Sequence, residues 1–357
     1  MQQATLENLV VFRRQYYQLV EPPQLRWLED HTLKAPEVQS WIFSRLFDTE
    51  KNPTLPPDRY RLRVLKVLIS KLERAINDPE EDEISDDLMA ALSSILGSNV
   101  LSESASAQQK AYVTYAYSCH PTDESDAKEY SVTLLESRSV ISSSGTTGLR
   151  TWEAALLLGQ FLASDRGSAI VRGQRIFELG AGTGMLSILC AKHLCVSGIV
   201  ATDGDEAVVD AIKTNVFLNG LDLKESAGTT VNTAALSWGW PLDAKTFTED
   251  YGMEIPDVLL GADVTYDKIV IPALVSSMRE FFELNPALQA LVAATIRNEQ
   301  TFETFLNACR RNRFTMEQIN FAPLPEPLQD GPFYPTTTPI QIWRITRSHT
   351  TQDPFAF

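Results

Sequence analysis

The sequence predicts an α/β fold in which a mostly parallel sheet follows an all-helical amino-terminal domain and a β-hairpin. Three observations lead to this fold class. Residues 5–97 have helical periodicity, residues 111–137 contain two strand-like runs, and from residue 175 short apolar runs alternate with helical stretches. A chain of 357 residues is long enough for two domains. We expect them to be residues 1–105, which are helical, and residues 106–357, which begin with the hairpin.

The first domain is predicted to consist of amphipathic helices. The stretch LRVLKVLISKLERAI (62–76) forms a broad apolar stripe with Lys and Arg outside it, and a second stripe (88–96) follows the acidic run DPEEDEISDD (78–87). The segment NPTLPP (52–57) must separate two helices, because proline cannot continue a helix. No residue pattern in this domain points to chemistry of its own.

Two aromatic and β-branched runs come next, AYVTYAYS (111–118) and YSVTLLES (130–137). They bracket a polar stretch, which is typical of a β-hairpin. A polar segment containing glycine then leads into an amphipathic helix that we expect to begin near Thr151.

The rest of the chain alternates between strand and helix, which predicts a parallel sheet covered on both faces. Helices are expected at 185–194, 205–218, 268–284 and 300–312. The strand candidates are RIFEL (175–179), GIVATD (198–203), TVNTAALSW (230–238), PDVLLGADV (256–264), ALVAATI (290–296), RFTMEQI (313–319) and TPIQIWRIT (338–346). Because the last two have no helix between them, they should pair antiparallel and place one reversed strand near the edge.

Composition limits the possible partners. The chain has 31 basic and 46 acidic residues, and its formal net charge of −15 disfavours direct binding of nucleic acid. No apolar stretch of roughly 18 residues runs uninterrupted, and the amino terminus has no signal-peptide pattern. We therefore expect a cytoplasmic protein without membrane contact. We also expect it to act as a monomer, an expectation that does not follow from composition.

Four cysteines form neither a C-x-x-C pair nor a metal spacing with the four histidines, so no metal site is predicted. Cys190 and Cys195 lie in or beside an apolar helix and are expected to be buried free thiols. Reduced thiols fit a reducing compartment.

The stretch FELGAGTG (177–184) carries the strongest functional signal. Its glycines differ from the dinucleotide fingerprint G-x-G-x-x-G, because Met185 stands where the third glycine would be. Strand, tight glycine turn and helix nevertheless create a ligand seat with free N–H groups. Glu178 precedes the first glycine by two residues and would place a carboxylate in the loop, which suits a cationic nucleoside better than two phosphates.

Two further residues follow strand candidates at the same predicted edge. Asp203 ends the second strand, where its carboxylate can accept hydrogen bonds from both hydroxyls of a ribose. Trp238 ends the third strand and offers a flat apolar wall on the side where an adenine would lie.

These motifs together resemble a known family. The stretches ELGAGTG (178–184), TD (202–203), LSWG (236–239) and ADVTY (262–266) are similar to those of the S-adenosylmethionine-dependent methyltransferases of family 16, which modify lysines of proteins. The stretches GTTGLRTWEAALLL (145–158) and TIRNEQTF (295–302), with the helical extension, resemble the eukaryotic members that act on elongation factor 2. This resemblance covers nearly the whole chain.

The resemblance implies a Rossmann-like class I methyltransferase sheet of seven strands, S-adenosylmethionine as cofactor, and elongation factor 2 as protein substrate. The helical domain would then assist substrate recognition. Asp263 and Tyr266 fall on the family's D-x-x-Y signature and are the implied catalytic residues. The implied cofactor contacts are Trp152, Glu178, Gly180, Ala181, Gly182, Thr183, Gly184, Asp203, Trp238 and Ala262.

Methyl transfer to lysine requires a neutral amine, and with an ordinary pKa of about 10.4 only about a thousandth of lysine is neutral near pH 7. An ionised Asp263 alone would raise the pKa of that amine, whereas desolvation beside a cationic cofactor lowers it. We therefore interpret Asp263 as the residue that binds and orients the amine. Tyr266 reaches the same pocket, and Arg297 and Asn298 either face the acceptor or form a surface pair.

Four alternatives remain open from the sequence. A nicotinamide oxidoreductase conflicts with the misplaced third glycine and lacks a visible hydride partner. A methyltransferase of nucleic acid bases or amide nitrogens often has an Asn/Asp-Pro-Pro-aromatic loop, and DVTY (263–266) has no proline. A cofactor-binding scaffold without activity, or an enzyme acting on another protein, would have the same loop motifs.

Overall fold

The fold is that of a computed structural model, which describes residues 1–78, 80, 82–98, 109–118, 129–137, 147–222 and 229–347. Cys119, Gly145 and the polar stretch between the predicted hairpin strands lie outside the described residues. Tertiary contacts divide the chain into two compact units. The first comprises residues 1–145 with 329–333, and the second comprises residues 146–328 with 334–357.

The first unit is helical up to the hairpin, as predicted. Helix α4 (Asp58–Ala75) buries the predicted apolar stripe in a core that it shares with α1 (Gln3–Tyr17). Pro57 directly precedes the first residue of α4, and the proline-rich segment separates this helix from the preceding structure. A π-helical turn, Phe43–Phe47, extends α3 and was not predicted. The helices are α1 (Gln3–Tyr17), α2 (Asp30–Leu33), α3 (Pro36–Ile42), α4 (Asp58–Ala75) and α5 (Asp86–Gly97).

The hairpin consists of β1 (Lys110–Tyr117) and β2 (Tyr130–Ser137), which pair antiparallel with Lys110 opposite Ser137. Its contacts place it with the helical unit, whereas the sequence prediction began the second domain at residue 106. Helix α1 packs on β1, Arg13 forms an ion pair with Glu129, and Arg14 donates to the Ser118 Oγ at 2.7 Å. These long-range contacts cannot be read from the local pattern of the hairpin.

Residues 329–333 also belong to the first unit, although they lie between elements of the second. Arg14 donates to the main-chain oxygen of Asp330 at 2.9 Å, and the Phe333 N–H donates to the Gln18 side chain at 2.8 Å. Helix α1 therefore holds this short return of the chain.

The second unit contains one seven-stranded sheet in the order β5-β4-β3-β6-β7-β9-β8. The predicted reversed strand is confirmed: β9 pairs antiparallel with both β7 and β8, and the other pairs are parallel. The strands are β3 (Arg175–Leu179), β4 (Gly198–Asp203), β5 (Val231–Ala235), β6 (Val258–Ala262), β7 (Gln289–Thr295), β8 (Phe314–Ile319) and β9 (Ile340–Arg347).

Helices connect these strands. Two short helices, α7 (Asp165–Val171) and α10 (Phe247–Tyr251), were not predicted. Ser164 separates α7 from the helix before it, and its side chain accepts a hydrogen bond from the Gly167 N–H and caps α7. The helices are α6 (Glu153–Ala163), α7 (Asp165–Val171), α8 (Met185–His193), α9 (Glu206–Leu218), α10 (Phe247–Tyr251), α11 (Ile271–Leu284) and α12 (Glu299–Arg311).

The strand order fixes where a ligand can bind. From β3 the chain moves outward to β4 and β5, then returns to place β6 on the other side of β3. Loops leaving β3 and β6 at their carboxyl ends therefore diverge and leave a crevice between them. Throughout the described ranges, no helix has both the length and the apolar composition needed to cross a bilayer.

The cysteine predictions are confirmed only in part. Cys190 is buried within α8, as expected, but Cys195 is exposed. The expectation for Cys195 was wrong because α8 ends at His193, and the chain then turns through Cys195 with a φ of 54°. A residue beyond the helix end no longer follows the apolar face of the helix.

Candidate active site

A cavity of about 550 Å³ opens at the carboxyl ends of β3, β4, β5 and β6. It is lined by the loops that follow these strands, by the segment leading into α6, and by Arg297 after β7. All the predicted site residues except Gly184 line it. They are Trp152, Glu178, Gly180, Ala181, Gly182, Thr183, Asp203, Trp238, Ala262, Asp263 and Tyr266.

The glycine loop brings main chain close to the cavity wall. Gly180 has a φ of 65°, and a Cβ built on it would lie 2.9 Å from Val264 Cγ1 and 3.1 Å from Trp238 Cζ2. Neither the backbone conformation nor the space admits a side chain. The loop thus leaves a cradle of bare backbone beside the indole of Trp238.

Gly184 lies behind the cavity and serves the fold. It is the N-cap of α8 with a φ of 79°, and a Cβ on it would lie 2.9 Å from Ile212 Cγ2. Its contacts are made at the start of α8, where the helix meets α9, and its contact with a cofactor stays a prediction.

Glu178 is buried, and its Oε2 accepts hydrogen bonds from the Ser187 N–H at 3.0 Å and the Ser187 Oγ at 2.5 Å. Burial raises the pKa of this carboxyl to about 7, although both bonds from Ser187 favour the charged form. Without a ligand, Glu178 is therefore only partly ionised near neutral pH. A cationic group beside it would favour the carboxylate, so its role toward a cationic nucleoside stays a prediction.

The raised pKa of Glu178 makes stability depend on pH. Because the folded protein binds this proton more tightly than the unfolded chain, the stability contribution is present below pH 4.5 and is lost as pH rises toward about 7. We expect Glu178→Gln to remove this loss, so that the ligand-free wild type loses on the order of 3 kcal/mol more than the variant between pH 5 and 8. Urea unfolding at several pH values measures the difference.

The matched control for that measurement is Glu249→Gln, which makes the same chemical change at an exposed position in α10. Its unfolding free energy should follow the wild-type curve. If the wild type and Glu178→Gln instead give parallel curves, the Glu178 carboxyl does not carry a raised pKa.

Asp203 closes the second side of the cavity at the end of β4. Its Oδ2 accepts from the Gly182 N–H and its Oδ1 from the Asp205 N–H, each at 3.2 Å. Burial raises the pKa of this carboxyl, while the backbone donors oppose the rise. These bonds hold the carboxylate at the cavity wall, and its binding of a ribose diol stays a prediction.

Asp263 follows β6 in a left-handed conformation, with a φ of 54°. Its Oδ1 accepts from the Thr295 N–H at 2.8 Å, and its Oδ2 accepts from the Thr295 Oγ at 3.0 Å. Arg297 Nη2 lies 3.5 Å from the same Oδ2. Burial raises the pKa of Asp263, and Thr295 and the Arg297 charge lower it. Thr295 thus orients the Asp263 carboxyl, and the residue lines the cavity.

Tyr266 lies at the mouth of the cavity, three residues beyond Asp263, and is 64% exposed. Trp238 is half-buried and forms the wall beside Gly180. Trp152 lines the cavity from the N-cap position of α6, and its Nε1 donates a hydrogen bond to the main-chain oxygen of Thr147 at 3.2 Å. The cavity thus combines aromatic walls with carboxylates at fixed positions.

Several residues of this site were missed or left open by the sequence. Arg297 lines the cavity, whereas Asn298 caps α12 by accepting from the Thr301 N–H at 3.0 Å. The Thr151 and Thr183 hydroxyls lie 2.6 Å apart and join the segment before α6 to the glycine loop. The position of Arg297, shortly after the end of β7, was the sequence signal that could have placed it at the cavity. No sequence signal linked Thr151 to Thr183.

The residues fit an adenosine-type sulfonium cofactor. The bare backbone at Gly180 offers a place where any Cβ would fill the cradle, Asp203 presents a carboxylate for ribose hydroxyls, and Trp238 supplies a flat wall. Among the residues that the structure describes, no three His, Cys, Asp or Glu side chains are grouped to hold a metal ion.

Comparison with known proteins agrees with this chemistry. A family model described as lysine methyltransferase matches residues 137–312. The protein-lysine N-methyltransferase EFM3 of Chaetomium thermophilum is 44% identical over 93% of this chain and 96% of its own. EFM3 of Saccharomyces cerevisiae is 31% identical over 62% of this chain and 67% of its own. The mouse protein-lysine N-methyltransferase EEF2KMT is 27% identical over 86% of this chain and 87% of its own.

Solved structures resemble the chain more weakly. The precorrin-6y C5,15-methyltransferase of Geobacter metallireducens covers 53% of this chain and 91% of its own at 11% identity, with a TM-score of 0.35. The fold assignment therefore depends on the sheet order and the cavity at its carboxyl edge. With these features and the relative that is 44% identical along almost its full length, the chain belongs to the lysine methyltransferase family and is an S-adenosylmethionine-dependent protein-lysine N-methyltransferase.

Proposed function

We propose that the enzyme methylates a lysine of translation elongation factor 2. The observation that supports this substrate is similarity to the mouse EEF2KMT over 86% of the chain, together with the stretches TTGLRTWEAALLL (146–158) and TIRNEQTF (295–302). We also propose that the enzyme acts in the cytoplasm, where a translation factor would meet it. We further propose that residues 1–105 help to recognise this large folded substrate and that the enzyme acts as a monomer.

The cavity residues divide the work of the reaction. The glycine loop, Asp203 and Trp238 would hold the cofactor through its nucleoside, and Glu178 would favour its cationic end. When bound, S-adenosylmethionine supplies a methyl group on a sulfonium, which is a reactive electrophile with a neutral leaving group. The protein then has to align an amine with that methyl group and keep water out.

Asp263 and Tyr266 are the proposed acceptor residues. The Asp263 carboxyl, fixed by Thr295, accepts a hydrogen bond from the incoming lysine nitrogen and so directs its lone pair into the cavity. The ring of Tyr266, at the mouth, packs along the apolar lysine chain. The lysine loses its extra proton to water before transfer, because a protonated amine has no lone pair with which to attack.

The substrate is tested by incubating the enzyme with methyl-labelled S-adenosylmethionine and elongation factor 2 purified from cells that lack this enzyme. We expect label on one lysine of the factor, located by mass spectrometry, and at least a hundredfold slower labelling when the Asp263→Ala variant is used, an effect on the order of that for one lost hydrogen-bonding group. Label on a different protein in the matching lysate would replace the substrate but keep the reaction. No label on any protein would favour an inactive scaffold.

A further inference from the structure

Among the cavity-lining residues that the structure describes, Arg297 is the charged one that also contacts the proposed acceptor carboxyl directly. Its Nη2 lies 2.8 Å from Glu153 Oε2 and 3.5 Å from Asp263 Oδ2, and its guanidinium lies 5.1 Å above the centre of the Trp152 ring. Two carboxylates and an aromatic face therefore hold one cation beside the acceptor position.

This placement answers a chemical problem of the acceptor site. A buried carboxylate without a counter-charge would stabilise the ammonium form of an incoming lysine and so oppose the reaction. A fixed cation next to that carboxylate both keeps it ionised and repels an ammonium. The acceptor position can then hold a hydrogen-bonded amine without strongly favouring its protonated form.

We propose that Arg297 is a positioning residue that offsets the charge of Asp263, so that the substrate lysine is accepted as a neutral amine. The proposal depends on lysine transfer at Asp263, which is part of the proposed function, but not on which protein carries the lysine. Glu153 has a supporting part, because it anchors the guanidinium from α6 and keeps it beside the acceptor carboxyl when a lysine enters.

The proton and electron balance is simple. The lysine ammonium releases one proton to water on entering the cavity. Its nitrogen lone pair then forms the bond to the methyl carbon while the carbon–sulfur bond breaks with its electrons on sulfur. Neither Arg297 nor Asp263 gains or loses a proton, so Arg297 acts only through its charge and the geometry that it imposes on Asp263.

Other charged or titratable groups face the same space, and their contributions must be separated from that of Arg297. Glu153 lies at the start of α6, where its charge adds to burial in raising the pKa of Asp263, and Tyr266 follows β6, as Asp263 does, and lines the cavity. The remaining ones line the cavity from the segment before α6, from β3 and from the end of β4; they are Arg150, Glu178, Asp203 and Asp205.

The test compares Arg297→Gln and Arg297→Lys with the wild type across pH 6.5–10. We expect Arg297→Gln to move the rise of kcat, measured at saturating substrate, to higher pH by about one unit, because kcat reports the pKa of the amine bound in the cavity. This is about a tenfold loss near pH 7.5 that disappears near pH 10. Arg297→Lys should restore most of the activity. Calorimetry should give nearly the same affinity for S-adenosylmethionine in all three proteins.

The matched control is Arg279→Gln, which removes a comparably exposed arginine from an ion pair on α11. It should leave the pH profile unchanged. A second measurement needs no substrate: carbon NMR of the Asp263 carboxyl, assigned with Asp263→Asn, should report a higher pKa in Arg297→Gln than in the wild type.

Two results would overturn the proposal. One is an equal loss of activity by Arg297→Gln at every pH, which is the signature of a purely structural role. The other is an unchanged Asp263 titration in that variant. If the wild-type enzyme labels no protein at all, lysine transfer itself is contradicted, and the NMR titration still decides whether Arg297 and Asp263 are coupled.

Discussion

Asp263→Ala lowers the rate of methyl transfer by roughly 10²- to 10³-fold, the range expected when one preorganised hydrogen-bonding group at the reacting atoms is lost. The Asp263 carboxyl is the group expected to accept a hydrogen bond from the lysine nitrogen, and Thr295 fixes its orientation. Affinity for S-adenosylmethionine should stay close to that of the wild type, because the cofactor is expected to be held by the loops after β3, β4 and β5. Single-turnover rates and calorimetry measure the two effects separately.

Asp263→Asn is the companion variant. Asparagine tolerates the left-handed backbone at this position, and its oxygen can still accept from the Thr295 N–H, so shape is kept while charge is removed. A loss as large as that of the alanine variant would assign the effect to charge. If affinity for the cofactor falls in parallel with activity in both variants, Asp263 belongs to the cofactor site and its assigned role is wrong.

Gly180→Ala weakens binding of S-adenosylmethionine by about a hundredfold, equivalent to roughly 2.7 kcal/mol. Alanine at a φ of 65° costs roughly 1–2 kcal/mol, and its Cβ would press on Val264 and on the indole of Trp238. That indole forms the wall against which the nucleoside is expected to lie, so its displacement closes the cradle. Calorimetric titration of the purified variant measures the loss directly.

Gly173→Ala is the control that separates the backbone strain of an alanine at positive φ from the contact of its Cβ with the cavity wall. Gly173 has a similar φ of 70°, but no atom in the described part of the chain lies within 4 Å of a Cβ built there. The control should lose stability by a similar backbone term and bind the cofactor like the wild type. Equal losses of affinity in both variants would mean that backbone strain, and not contact at the cradle, explains the result.

The arrangement of strands was predictable because it depends on local pattern and simple rules. Runs such as RIFEL (175–179) and GIVATD (198–203) coincide with β3 and β4 residue for residue. Polar residues directly after such strands share one edge of a parallel sheet, which is why Asp203 and Asp263 were expected together and line one cavity.

Side-chain orientation and long-range packing were not predictable. The sequence predicts that the Glu178 carboxylate points into the glycine loop, but it does not reveal that Ser187 donates to one of its oxygens, since that contact depends on how α8 leaves the glycine turn. Arg297 lies more than thirty positions from Asp263 in the chain, so its ion pair with that residue emerges only in the folded sheet, where β6 and β7 are neighbours. The grouping of the hairpin with α1 has the same origin.

The short return at residues 329–333 has a consequence for dissecting this enzyme. Because the chain passes between the two units three times, cleavage at the junction of residues 145 and 146 would not liberate the amino-terminal piece as an independent body. The amino-terminal fragment would still be hydrogen-bonded to residues 329–333 of the other fragment through Arg14 and Gln18. An enzyme cleaved at this junction should therefore elute as one particle in size-exclusion chromatography. Deleting residues 1–145 instead removes the contacts that residues 329–333 make with the first unit.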